Sequence, residues 1–263
     1  WTPTVATLTE RDHGTPVVVC IWDSGVDIAP FAGKLYVNAK ETVNGKDDDG
    51  NGFVDDVNGW DFVGSETGDE SMPDQPGDND PCVRAGDSSV GNGIDDDQDG
   101  SADSGVAHGT MTAGVVAAVG NNGIGVAGTC WSCKIMPVRV ANPEGWLRSS
   151  DTADAVTYAA RNGAKIINMS LGGPQLSEAE RAAIDTAVST FGAVIVAAAG
   201  NENTTPVAYP ARLSNVIAVG ASGHGKGRAP FSNWGAGTAS NRNVDVVAPG
   251  VDIVSTAVRS VAD

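Results

Sequence analysis

Six apolar runs of strand length, separated by segments of helical period, constrain this chain more than any other feature. Val17 to Trp22, Lys134 to Val140, Lys165 to Met169, Ala193 to Ala199, Val216 to Ala221 and Val244 to Val247 carry the pattern. The most apolar of them read as strands buried on both faces. Between them the spacing predicts helices over His108 to Val119, over Asp151 to Asn162 behind a Ser149-Ser150 cap, and from Ser177 to about Phe191. Ser177 followed by Glu180 is a capping box for the last of these. Strand, helix and strand in repetition require parallel crossovers, so the expected fold is α/β, a doubly wound, mostly parallel sheet with helices on both faces. Ligands bind such sheets beyond the carboxyl ends of the strands. There the sequence places Asp23-Ser24-Gly25, Ser170-Leu171-Gly172-Gly173 and Gly200-Asn201.

The chain has 263 residues, enough for one domain over 1–263 that packs a core without help from metals or disulfides. No run reaches the roughly 18 apolar residues of a membrane span. The formal charge of −17 argues against a nucleic-acid partner, whose phosphates call for Lys and Arg. Residues 41–105 hold 19 of the acidic side chains and only Lys46 and Arg84 among the basic ones, and so account for the whole imbalance. Rich in Gly, Asn and Pro, this segment reads as a long acidic insertion in an otherwise neutral, regularly patterned domain.

A short repeat lies inside the insertion. Asp47, Asp49, Asn51 and Asp55 recur as Asp95, Asp97, Asp99 and Asp103, with Gly52 and Gly100 after the third member of each set. Oxygen side chains at loop positions 1, 3, 5 and 9 with a turn-making Gly at 6 can wrap a calcium ion, so both loops are expected Ca2+ sites of structural character. Asn58 and Val106 stand where a closing bidentate Glu would be, so neither is a complete EF-hand loop.

Three other motifs carry less. Gly123-Ile124-Gly125-Val126-Ala127-Gly128 matches the dinucleotide fingerprint in letters, but a helix precedes it and a strand follows, the reverse of what a bound pyrophosphate needs. It reads as a connector. Cys130 and Cys133 lack two further spaced ligands for zinc. Cys20 lies in a buried strand, and Cys82, Cys130 and Cys133 can form one disulfide with a thiol left over. Of the three histidines, His13 lies at the wrong end of the first strand to meet Asp23, and His224 sits in a Gly-rich loop where exposure is expected.

His108, at the start of a helix after a long excursion, is free to fold back over the strand ends. An aspartate such as Asp23, bonded to imidazole Nδ1, sets the tautomer and leaves Nε2 to deprotonate a nucleophile. The Asn201 amide on a strand end can donate to a developing oxyanion. Together the three describe an acyl-transfer site that lacks its nucleophile.

At these residues the chain resembles the subtilisin-like serine proteases. The likeness runs through Val17 to Asp27, the His108-Gly-Thr-Met-Thr-Ala-Gly stretch, Asn168-Met-Ser-Leu-Gly-Gly, Ala197-Ala-Ala-Gly-Asn, Tyr209-Pro-Ala, Phe231-Ser-Asn-Trp-Gly and Val247-Ala-Pro-Gly. Trp22 departs from the aliphatic residue usual before the aspartate. The resemblance implies a three-layer subtilisin-like fold and a secreted endopeptidase, with Asp23 orienting, His108 as general base and then acid, and Asn201 at the oxyanion. It also implies a cleft between Ser170, Leu171, Gly172 and Gly173 on one side and Gly145 on the other, holding an extended peptide or protein substrate as an added strand, and it allows a propeptide. The family's Gly-Thr-Ser-Met-Ala motif is absent: Gly237-Thr238-Ala239-Ser240 precedes Ala248-Pro249-Gly250 instead of following it. The nucleophilic serine is therefore expected beyond Asp263, the chain alone is expected to be inactive, and one sheet face is expected to lack a core helix. The competing readings are a pseudoprotease that holds peptides without cutting them and a calcium-dependent extracellular binding module.

Overall fold

In a computed structural model of the protein, the described residues are 15–31, 33–63, 107–141, 145, 147–237 and 243–257. Asp95, Asp97, Asp99, Asp103, Cys82, His13 and Ser240 lie outside them. Seven strands among the described residues form one sheet: β1 (Val18–Asp23), β2 (Trp60–Asp61), β3 (Lys134–Arg139), β4 (Ile166–Met169), β5 (Val194–Ala198), β6 (Val216–Ser222) and β7 (Val246–Pro249). Their order is β2-β3-β1-β4-β5-β6-β7, and every pairing is parallel. The helices are α1 (Ala107–Ala117), α2 (Ser149–Arg161) and α3 (Glu178–Ser189).

Alternation along β1 assigns its side chains to two layers. Val19 and Ile21 pack with Ala113 and Ala117 of α1. Cys20 and Trp22 face the other way, into a core with Ala155, Val156 and Ala159 of α2 and Ile184 and Ala187 of α3. Helices thus cover both faces of the central strands, as the strand and helix pattern predicts. On β5 to β7 cover is thinner: Val194, Ile217, Val246 and Val247 are exposed, together with Met111 and Val115 of α1 and Val254 beyond β7.

Two details differ from the sequence reading. The expected Ser149-Ser150 cap is absent. Both residues lie inside α2, and the N-cap is Arg148, extended and making no side-chain capping bond. A bridge between Ala141 and Leu147 holds the chain extended up to Arg148, so it turns into the helix a residue earlier than a serine cap allows. The insertion also contributes β2, whose two residues pair with Val138 and Arg139 at the edge of the sheet. A strand of that length shows no periodicity in a sequence. Ser177 does cap α3, its hydroxyl accepting from the Glu180 amide at 3.2 Å.

The first part of the insertion is a shaped loop anchored on α2. Phe53 meets Trp60 and Tyr158 edge-on at 4.9 and 4.8 Å between ring centroids. Beside it the buried Asp56 carboxylate accepts from the Tyr158 hydroxyl at 2.8 Å and from the Asn38 and Asn51 amides at 3.0 Å. The glycine-rich stretch 123–128 forms bends after α1, and amides of Gly128, Thr129 and Cys130 take carbonyls of Ala118, Val115 and Val116. It caps the helix end, in keeping with a connector.

Candidate active site

The order of the sheet reverses at β1: the chain leaves β1 toward β3 on one side, while β4 on the other side leads on to β5. The crevice at that switch point lies beyond the carboxyl ends of β1 and β4. Asp23 is the last residue of β1 and is fully buried. Its Oδ1 lies 2.8 Å from His108 Nδ1 and accepts from the Ser24 amide at 2.8 Å, while Oδ2 accepts from the Thr112 hydroxyl at 3.3 Å. Thr112 sits one turn after His108 on α1, so the helix presents both groups to one carboxylate.

Close backbone packing makes this meeting possible. A Cβ at Gly109 would collide with the Gly25 carbonyl oxygen. The Gly109 amide donates to Ser24 Oγ at 3.1 Å, and the Asp27 amide donates to Thr110 Oγ1 at 2.9 Å. The first turn of α1 is thereby stitched to the turn after β1. The His108 side chain remains 41% exposed, so the ring has one nitrogen on a buried carboxylate and an accessible edge. The bond to Asp23 raises the His108 pKa above its ordinary 6.5, against a smaller opposing effect of burial.

A cavity of about 460 Å3 opens beside the ring. His108, Ser170, Leu171, Gly172, Gly173 and Asn201 all line it. Gly172 and Gly173 also line a second cavity that Gly145 borders, which sets the two expected cleft edges across one hollow. Gly173 and Tyr209 exchange backbone bonds of 3.0 and 2.9 Å, and a Cβ at Gly172 would strike the Tyr209 carbonyl oxygen.

Asn233 is a residue the sequence reading quoted without giving it a role. Buried below the loop after β5, its Oδ1 accepts from the amides of Glu202 and Thr204 at 3.1 and 3.0 Å, and its Nδ2 donates to Ala199 O at 3.1 Å. Its backbone amide takes Gly200 O at 2.9 Å. One asparagine thus braces the turn that presents Asn201. Its contacts are long-range, so only its place in the Phe231-Ser232-Asn233-Trp234 stretch hints at it.

In the insertion, Glu41, Asp47 and Asp49 each offer an oxygen within 4.8 Å of the others. Glu41 is 5% exposed, and its Oε2 is a buried oxygen with no hydrogen-bond partner among the described residues. Its Oε1 accepts from the Asp49 amide at 2.8 Å. A hard cation that prefers oxygen would satisfy that orphaned atom, and three carboxylates in one place fit it. Glu41 lies six residues ahead of the repeat and escaped the spacing argument. Asn51 adjoins the group, with Nδ2 on Asp56 and Oδ1 accepting from the Phe53 amide. Asp55 stands apart, its carboxylate taken by the amides of Asn44 and Gly45.

The remaining polar candidates fall elsewhere. Cys130 and Cys133 form a disulfide, and Cys20 is a buried free thiol whose pKa burial drives up. His224 is exposed and meets Asp252 at 2.8 Å.

The family model described as "Subtilase family" matches residues 14–262. The chain is similar to Subtilisin BL of Lederbergia lenta, 41% identical over 149 residues that make up 57% of this chain and 52% of the relative. The Thermophilic serine proteinase of Bacillus sp. strain AK1 is 45% identical over 152 residues, 57% of this chain and 35% of the relative. The chain therefore spans about half of the first relative's length and about a third of the second's. A solved structure from Pseudoalteromonas arctica PAMC 21717, titled as proteases, is 30% identical with a TM-score of 0.62, covering 94% of this chain and 71% of that one. With the family model running through nearly the whole sequence and a seven-stranded parallel sheet flanked by three helices that fits its three-layer fold, the chain belongs to the subtilase family.

Proposed function

We propose that this chain carries the acid–base and binding parts of a secreted serine endopeptidase, organised as one domain with an acidic insertion, whose nucleophilic serine is encoded downstream of Asp263. The observation that carries the reading is the 2.8 Å contact of His108 Nδ1 with buried Asp23 while the same ring borders the cavity shared with Asn201. Asp23 fixes the tautomer in which Nε2 is free. Nε2 takes the serine proton as the hydroxyl attacks the peptide carbonyl, and the imidazolium then formed returns it to the leaving amine. The Asn201 amide donates to the oxyanion, and the strand of Ser170, Leu171, Gly172 and Gly173, with Gly145 opposite, holds the peptide extended. Glu41, Asp47 and Asp49, with Asn51 adjoining, would hold a structural Ca2+ that neutralises part of the insertion. The mature enzyme acts outside the cell, in the company of relatives named as subtilisins.

The test is to express the chain together with its downstream coding sequence. Casein and a chromogenic peptide should be cleaved, with His108→Ala reducing kcat/KM by about 10⁴-fold or more. Residues 1–263 alone should neither cleave nor take up a serine-directed phosphonate. Labelling of the 263-residue chain would remove the downstream serine from this reading. A downstream sequence with no such serine would favour peptide holding without cleavage.

A further inference from the structure

A second cavity of about 470 Å3 adjoins the first and shares Gly172, Gly173 and Pro174 with it. Trp22 of β1, Gly145, Leu147 and Glu180 of α3 line it. Glu180 is the one charged side chain among the described residues on its walls. Half-buried in the first turn of α3, the Glu180 carboxylate makes no hydrogen bond or ion pair among the described residues. The capping box is therefore one-sided: the Ser177 hydroxyl takes the Glu180 amide, and the carboxylate does not reach back. Trp22, 1% exposed, also lines this cavity, and its buried indole N–H has no acceptor among the described residues.

We propose that this second cavity receives a lysine or arginine side chain of the bound peptide, with Glu180 as its counter-charge. The proposal rests on the peptide-cleft reading and deepens it by naming a substrate class. An apolar side chain entering here would strip water from the half-buried Glu180 carboxylate and put no partner in its place, which is costly for a charged group. A cationic side chain supplies the missing partner. Its aliphatic stem lies against Leu147 and the indole while its charged end reaches Glu180. Burial already pushes the Glu180 carboxyl above the usual carboxylate range, so an arriving cation finds a group that gains from being paired. The formal charge of −17 works in the same direction by drawing cationic peptides toward the surface.

The experiment measures fluorescence anisotropy of short, otherwise uncharged peptides on the 263-residue chain, with one lysine or its neutral isostere norleucine moved along the peptide. Lysine should bind about five- to tenfold more tightly at one position only. Glu180→Gln, which keeps the shape of the side chain and a residue suited to the capping position, should abolish that difference. Glu180→Lys should reverse it in favour of a glutamate peptide. Equal affinity for lysine and norleucine at every position, with binding retained, overturns the counter-charge and leaves the cleft standing. A lysine preference that survives in both variants overturns it as well. Failure of every peptide to bind overturns the cleft and the proposal together.

Discussion

At the scale of single residues, the pair of Asp23 and His108 makes a pH-dependent prediction. The carboxylate stabilises the imidazolium, so the folded chain holds the His108 proton more tightly than the unfolded chain does. The pair's contribution to stability is then fully present below the ordinary value of 6.5 and is lost as pH rises through the higher folded value. NMR titration of the His108 ring should show a midpoint above 6.5 that falls in Asp23→Asn, where the hydrogen-bonded charge is gone and the effect of burial remains. A midpoint unchanged by that substitution would contradict the contact. Asn233 offers a second test. Asn233→Ala leaves the amides of Glu202 and Thr204 without an acceptor beneath the Asn201 turn, and should cost about 1–3 kcal/mol in chemical denaturation.

At the scale of elements, α1 and the loop 38–56 are the parts whose placement matters most. Gly109→Ala forces the first turn of α1 away from the Gly25 carbonyl, so the His108 midpoint should drop toward its ordinary value even though the Asp23 and His108 side chains are untouched. Tyr158→Phe removes one of three donors from the buried Asp56 and should cost about 1–2 kcal/mol while loosening the loop. If Glu41, Asp47 and Asp49 hold Ca2+ as proposed, adding it at about a hundredfold over Kd stabilises by about 2.7 kcal/mol, or roughly 5–10 °C in Tm. Glu41→Gln should remove most of that shift, and a Tm insensitive to both calcium and chelator would leave the acidic cluster a plain surface. The elements also show how far a sequence can be read. Strand runs such as Val17 to Trp22 match β1 to within a residue because burial on both faces writes a continuous apolar run. The expected Ser149-Ser150 cap is absent because a short bridge between Ala141 and Leu147, and not a serine hydroxyl, decides where α2 begins.

At the scale of the whole molecule, the charge is neutral in the regular part and concentrated in one segment, so its repulsion acts locally. Moderate NaCl should raise the Tm of calcium-depleted protein more than that of calcium-loaded protein, because screening replaces what a bound cation supplies. On the thinly covered stretch of β5 to β7, strand register puts the exposed Val194, Ile217 and Val246 on one face of the sheet, an apolar surface open to solvent.

The amino-acid sequence by itself determined the parallel α/β plan, the order of the strand-end motifs and the pairing of an aspartate with a distant histidine. The first two follow from periodicity and from residue types that sit at fixed places on strands and helices, whereas the pairing of Asp23 with His108, 85 residues apart, rests on the resemblance of the motifs around them to a protease family. Only the tertiary structure decided that Glu41 joins the acidic cluster while Asp55 does not, that Asn233 holds up the Asn201 turn, and that Trp22 and Glu180 line the same cavity. Each of these depends on groups far apart in the chain meeting at a distance set by packing, and no local pattern encodes such a distance.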